Sequence, residues 1–384
     1  MKNCIYFDNA ATTYPKPEEV YETMDYVNRH GAVNAGRGSY ALAREAAALI
    51  SDTKKSILKL ADADDVAEVV FTASATFASN QIFGGLEWSK EDVVYVTPYE
   101  HNATARVLHA LKEKYHFSIE LLELKPGTLE LDLEKIQFQF SRKAPTVVVM
   151  THVSNTIGYV VPIKEVANLA KKYNATTIVD GAQAFGLLPF SLKQMPIDFY
   201  IFAGHKTMYG PFGVGGFIWK RSVPLHPFLA GGTGSDSLNL DMKSGDEVML
   251  EPGSPNLIAI AGLQAAIATL KPAELMQREQ QLTAYLVEQL RTIFGVTLYT
   301  PYNHTNHVGI VAFNLEGYQS ADVGMILDED YNIAVRTGYQ CAPYIHDVLE
   351  DKEHLGIVRA SIGRYTTKEE IDLLVKAVRE IAEE

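Results

Sequence analysis

Apolar and β-branched residues gather in short runs at Val66–Thr72 (VAEVVFT), Val93–Thr97 (VVYVT), Thr146–Thr151 (TVVVMT), Thr176–Asp180 (TTIVD) and Asp198–Ala203 (DFYIFA), with helical spacing between them. The runs are nearly continuous rather than alternating. That predicts strands covered on both faces, in an α/β fold with a mostly parallel sheet between helical layers. Such sheets bind ligands at the carboxyl ends of their strands. After Pro255 the pattern changes. Helical spacing over Ala259–Leu270 and Glu274–Phe294, then strands near His307–Asn314 and Ile357–Ile362, predict a smaller α+β unit. The expected organisation is a large domain over residues 15–265 and a small one built from residues 1–14 and 266–384. No internal repeat or low-complexity linker interrupts the chain.

Composition narrows the partners. With 384 residues, 47% of them hydrophobic, there is ample material for a large core. The formal charge of −13 argues against an extended surface for nucleic acid or anionic membrane, which needs clustered Lys and Arg. The first residues reach Asp8 before any apolar run, and no later stretch is long enough to span a bilayer, so a cytoplasmic location is expected. Cys4 and Cys341 are too few for a disulfide framework or a closed zinc site. No metal is expected, and each cysteine is free, buried or catalytic.

The candidate chemistry lies at strand ends. TTIVD closes on Asp180, with Gln183 just beyond it, and DFYIFA is followed by Gly204-His205-Lys206 and a Gly-rich stretch, GPFGVGG. Alone, Lys206 reads as a solvated loop lysine and Asp180 as a turn or cap residue. Together they describe a pyridoxal phosphate site. A carboxylate keeps a pyridine nitrogen protonated, and a lysine amine condenses with an aldehyde.

The stretches YFDNAATT, EHNAT, HVSNTIG, VDGAQ, GHKTMYGPFGVGG, EPGSPN, RTGYQCAP and VRASIG occur in series. In that order the chain resembles class V aminotransferase-fold enzymes, above all cysteine desulfurases and selenocysteine lyases, from about Tyr6 to the last helix. The resemblance implies the type I fold of pyridoxal-phosphate-dependent transferases. It also implies that Lys206 bonds the cofactor aldehyde and later moves the Cα proton, that Asp180 pairs with the pyridine nitrogen, and that Gln183 and Asn155 hydrogen-bond the phenolic oxygen. His101 stacks on the ring and His205 reaches the phosphate, beside a helix N-terminus carrying Ser74, Ala75 and Thr76. Arg359 takes the substrate α-carboxylate, aided by Asn155, and Cys341 is the nucleophile that receives sulfur, with Arg336 and His346 available to favour its thiolate. Cys4 has no chemistry implied.

Two positions depart from the family. Ser74-Ala75-Thr76-Phe77 replaces the usual Gly-Thr-Thr-Glu, and Ala203 stands where a serine is frequent. Two hydroxyl contacts to the phosphate are therefore missing, and the segment GGTGSDS, through Gly232, Thr233 and Ser235, is expected to supply contacts across a homodimer interface. The implied reaction turns L-cysteine into L-alanine with a persulfide on Cys341, ready for a sulfur-acceptor protein. Selenocysteine is an alternative substrate. A C–S lyase, epimerase or aminotransferase on the same fold, or a protein that binds the cofactor without turnover, are the alternative functions.

Overall fold

The computed structural model describes residues 4–35, 38–234, 238–242 and 247–383. The strands are β1 (Ile5–Tyr6), β2 (Glu68–Thr72), β3 (Val93–Val96), β4 (Ser118–Leu121), β5 (Val147–Thr151), β6 (Thr176–Asp180), β7 (Phe199–Ala203), β8 (Gly215–Trp219), β9 (Val296–Tyr299), β10 (Ile310–Leu315), β11 (Ile333–Ala334), β12 (Arg336–Gly338) and β13 (Ile357–Ser361). Seven of them form one sheet in the order β2-β8-β7-β6-β5-β3-β4. Its neighbours run parallel except at β8, which is antiparallel to both β2 and β7.

The near-continuous apolar runs follow from two cores. In β5, Val147 and Val149 face one hydrophobic layer while Val148 and Met150 face the other; in β7, Phe199 and Ile201 part from Tyr200 and Phe202 in the same way. Strand side chains alternate with a period of two, so a sheet packed on both faces needs an apolar residue at every position. The helices Ala75–Gly85 and Asn102–Tyr115 contribute Ala78, Ile82, Phe83 and Leu108 to one layer; Ala41–Leu60, Ile163–Lys171 and Leu257–Ala268 contribute Ile57, Val166 and Leu263 to the other.

A second sheet, in the order β12-β13-β10-β9, is antiparallel throughout and packs on the helices Pro272–Leu290, Ser320–Tyr331 and Lys368–Glu383. The N-terminal segment joins it, since β1 runs parallel to β11 and Asp8 bridges to Ser361.

The five runs expected as strands in the large sheet are strands, and the helices after Pro255 stand at Leu257–Ala268 and Pro272–Leu290. The strand expected from His307 begins only at Ile310, because Gly309, at φ +68°, turns the chain first. A strand beyond the five expected runs is β8, GGFIW, which begins inside the Gly-rich stretch GPFGVGG. Its glycines permit close pairing: a Cβ on Gly216 would lie 2.2 Å from the Val70 carbonyl oxygen. Among the described residues no single helix is long and apolar enough to cross a membrane.

Candidate active site

The carboxyl ends of β5, β6 and β7 open into a cavity of about 280 Å³, and Lys206 and Asp180 lie on its floor. Asp180 is the last residue of β6 and is buried; its Oδ1 accepts the Ala182 N–H at 2.9 Å. Burial raises its pKa, while the Ala182 bond and the nearby Lys206 charge act the other way. Lys206 stands three residues past β7, in a turn clamped from the N-terminal segment. Thr13 Oγ1 donates to the Lys206 carbonyl at 3.0 Å, Thr12 Oγ1 to the His205 carbonyl at 3.0 Å and Lys16 Nζ to that same carbonyl at 2.7 Å. Enclosure lowers the Lys206 pKa from the usual lysine range; Asp180 opposes this and Arg359 adds to it. The floor therefore holds an amine made easier to deprotonate beside a carboxylate.

The wall opposite is made from helix starts. His101 caps the helix Asn102–Tyr115, its Nδ1 accepting the Ala103 N–H at 3.0 Å, which leaves the proton of the neutral ring on Nε2. Burial, then the charges of Lys206, Arg359, Arg336 and Arg106, lower His101 to about 3, so the ring is neutral. It is both the helix cap and a cavity residue. Ser74 caps Ala75–Gly85 by accepting the Phe77 N–H. The N–H groups of Ala75 and Thr76, at the first two helical positions, have no intrahelical acceptor, the chemistry that suits an anion. His205 stacks on Phe212 at 4.6 Å, is lowered to about 4 by burial and then the Lys206 and Lys16 charges, and keeps Nδ1 buried without a partner.

Arg359, on β13, is 2% exposed. One terminal nitrogen donates to the Asn155 carbonyl at 2.9 Å, the other to Asp8 Oδ1 at 2.8 Å, and Nε has no partner. Arg336 faces it in register across β12 and β13. Asn155 gives Nδ2 to the Gln340 carbonyl at 2.7 Å, and Gln183 gives Nε2 to the Ala10 carbonyl at 2.7 Å, so each amide has one N–H left to donate. Cys341 follows Gln340 in a turn where both have positive φ, +46° and +56°. The Cys341 carbonyl is held by the Asn102 N–H at 2.7 Å, and the residue is exposed.

The structure thus brings Ser74, Ala75, Thr76, His101, Asn155, Asp180, Gln183, His205, Lys206, Cys341 and Arg359 to one cavity. Gly232 and Thr233 are not on its wall; Gly232 instead accepts the Gly253 N–H at 2.8 Å. Ser235 lies outside the described residues. His346 is also placed differently from expectation. Its Nδ1 lies 2.5 Å from Asp351 Oδ2 and its Nε2 2.8 Å from the Tyr339 carbonyl, so neither nitrogen is open to take a proton from Cys341. Neither cysteine is buried, and both are free.

The class-V aminotransferase model matches residues 5–374. This chain belongs to the class-V aminotransferase family. A probable cysteine desulfurase of Halalkalibacterium halodurans is 31% identical over 99% of this chain and 93% of that protein. A cysteine desulfurase of Shigella sonnei is 31% identical over 98% of this chain and 93% of its own length. Among solved structures, the apo cysteine desulfurase of Thermococcus onnurineus superposes with a TM-score of 0.88 at 29% identity, covering 99% of this chain and 95% of that one.

The class-V site contains more than its expected members. Asp8 was visible only as part of YFDNAATT; its contact with Arg359 spans 351 positions, for which one sequence carries no local signal. Glu100 is fully buried, accepts the Thr151 N–H at 2.7 Å and the Thr97 hydroxyl at 2.5 Å, and is raised to about 7 chiefly by burial. Behind Gln183 a small cavity of about 20 Å³ is lined by Thr13, Tyr209 and Glu279. Glu279 is 4% exposed, and burial, eased only by Arg278, raises it to about 8.

Proposed function

We propose that this class-V protein is a pyridoxal 5′-phosphate-dependent cysteine desulfurase, converting L-cysteine to L-alanine and leaving the sulfur as a persulfide on Cys341. The observation that carries the reading is the exposed thiol of Cys341 on the wall of the cavity that has Lys206 and Asp180 on its floor and Arg359 at its side. The cofactor fits the unpartnered groups found there. The free N–H groups at Ala75–Thr76 and the orphan Nδ1 of His205 suit a phosphate, Asp180 suits a pyridine N–H, and Lys206 suits an aldehyde.

Pyridoxal phosphate, when bound, supplies an electron sink for charge developing at the substrate Cα. The chain's own groups do the rest. Asp180 holds the ring nitrogen's proton, His101 covers the ring with a neutral face, and Gln183 and Asn155 donate their remaining N–H groups to the phenolic oxygen. Arg359 is already oriented by Asp8 and the Asn155 carbonyl, and its guanidinium, with Nε still unpartnered, is the cation available to the substrate carboxylate. Lys206, its affinity for protons reduced by enclosure, takes the Cα proton and returns one. Cys341 Sγ then attacks the substrate sulfur. The S–S bond forms as the C–S bond breaks, the carbon side leaves protonated as alanine, and sulfur stays on Cys341.

Gly232 and Thr233 stand away from their own cavity, while Ala75 and Ala203 line it without hydroxyls. In this proposal they serve the phosphate of a second copy, which makes the working unit a homodimer. The test is to mix the purified protein with L-cysteine and follow alanine together with a one-sulfur mass gain on the Cys341 peptide. Both should appear, and Cys341→Ser should abolish the mass gain. Sulfide with pyruvate in place of alanine would overturn the assignment in favour of an eliminating lyase.

A further inference from the structure

Cys341 lines two cavities. Besides the one above Lys206 it borders a second, of about 590 Å³, that contains none of the cofactor-site residues. Asn102, Arg106 and His109 line this second cavity from one face of the helix Asn102–Tyr115, at the i, i+4, i+7 spacing that aligns side chains, and Ala105 beside them leaves room. Tyr339, Tyr344, His346 and Lys352 complete it.

Its electrostatics run against those of the whole chain. The formal net charge is −13, yet among the described residues no Asp or Glu lines this cavity. Two of its basic groups are matched by neighbours: His346 by Asp351 at 2.5 Å, and Lys352 by Asp347 at 2.8 Å. Arg106 and His109 are exposed and have no hydrogen bond or ion pair among the described residues. An uncompensated guanidinium beside an exposed thiol, in a concave site of ligand size, is a receptor for an anion that must reach sulfur.

We propose that this cavity receives the sulfur acceptor, and that the acceptor is a small thiol bearing carboxylates; the proposal rests on the desulfurase reading. The acceptor thiolate attacks the outer sulfur of the Cys341 persulfide. A new S–S bond forms on the acceptor, the Cys341–sulfur bond breaks, and Cys341 leaves as a thiolate. The products are an acceptor persulfide and the original cysteine, with no external oxidant or reductant. Arg106 draws the acceptor's carboxylates and His109 offers a ring nitrogen one turn on, while the substrate enters by the other cavity.

The test compares thiols of different charge, namely 2-mercaptoethanol, cysteamine, 3-mercaptopropionate and mercaptosuccinate, on full-length protein carrying Cys4→Ser, with each rate divided by that thiol's rate toward a free small-molecule disulfide at the same pH so that differences in thiol acidity cancel. Persulfide is loaded with L-cysteine and its discharge followed by mass. Mercaptosuccinate should discharge it faster than the neutral thiol and cysteamine slower, each by roughly threefold to tenfold, the size of one partly screened charge interaction. Arg106→Gln should bring these rates together and leave first-turnover alanine formation unchanged. Equal rates for all four thiols, or a preference unmoved by Arg106→Gln, would overturn the proposal. A parallel arm loads Cys341 as a mixed disulfide with 2-thiopyridine, whose release by the same thiols needs no cofactor. If no persulfide forms, the desulfurase reading fails, whereas this arm still reads the charge preference of the cavity.

Discussion

The floor of the cavity and its Cys341 rim are built on opposite physical terms. Asp180 and Lys206 sit at the ends of the buried central strands β6 and β7, where the sheet determines their positions and exclusion of water displaces their proton affinities. Cys341 is the exposed member of a turn of two successive positive-φ residues whose other member, Gln340, is buried, and it is held through its backbone carbonyl rather than by burial of its side chain. Groups that must hold charge against a cofactor gain from a low-dielectric setting. A group that must meet substrate on one side and an acceptor on the other needs access. One site therefore contains a rigid half and an open half, and substitutions should separate them.

The largest effect is expected on the floor. Lys206→Ala should lower alanine formation from L-cysteine by at least ~10³-fold, because both the bond to the cofactor and the proton transfer are lost; the loss should be accompanied by a changed cofactor absorbance spectrum. Next comes the rim. Cys341→Ser should reduce turnover by about 10²-fold or more while cofactor retention, measured by equilibrium dialysis, stays at the wild-type level. If both variants lost cofactor equally, the division into halves would be wrong. Arg359→Lys should raise KM for L-cysteine by roughly tenfold to a hundredfold with a smaller change in kcat, since a point charge cannot reproduce the fork held by Asp8 and Asn155.

The smallest effect sharpens the comparison away from the chemistry. Glu279 is buried like Asp180, but where Asp180 has both a backbone hydrogen bond and the Lys206 charge to offset burial, only the Arg278 charge offsets it here. Its folded pKa is about 8 against an ordinary 4.5, so the folded protein binds a proton that the unfolded chain releases. Stability from this group is intact below about pH 4.5 and is lost as pH rises toward about 8. Glu279→Gln should remove that slope and stabilise the protein at neutral pH by on the order of 2 kcal/mol. Denaturant unfolding across this pH range measures it, and a slope identical to wild type would show that Glu279 has found compensation.

What was legible in the sequence follows the same division. Asp180, His205 and Lys206 could be read because strand ends are local: an apolar run stops and polar chemistry begins. His101 and the Ser74–Thr76 segment were legible through the resemblance of the whole motif series, EHNAT included, rather than from their local pattern alone. The GGFIW strand was hidden by its own glycines, which speak of loops until a neighbouring carbonyl is seen 2.2 Å from where a side chain would start. His346 was misjudged because availability depends on partners. A histidine five residues from Asp351 can be free or locked, and only the fold decides. The second face of Cys341 was also invisible, since Arg106 and His109 lie on a helix more than two hundred positions earlier in the chain.

The bond between Asp8 and Arg359 has a temporal meaning as well. Ribosomes deliver the N-terminus first, and Arg359 emerges only after the large sheet has been made. Asp8 therefore waits for its partner, and the guanidinium of Arg359 is held in place only once the N-terminal segment and β13 have met across 351 positions of the chain.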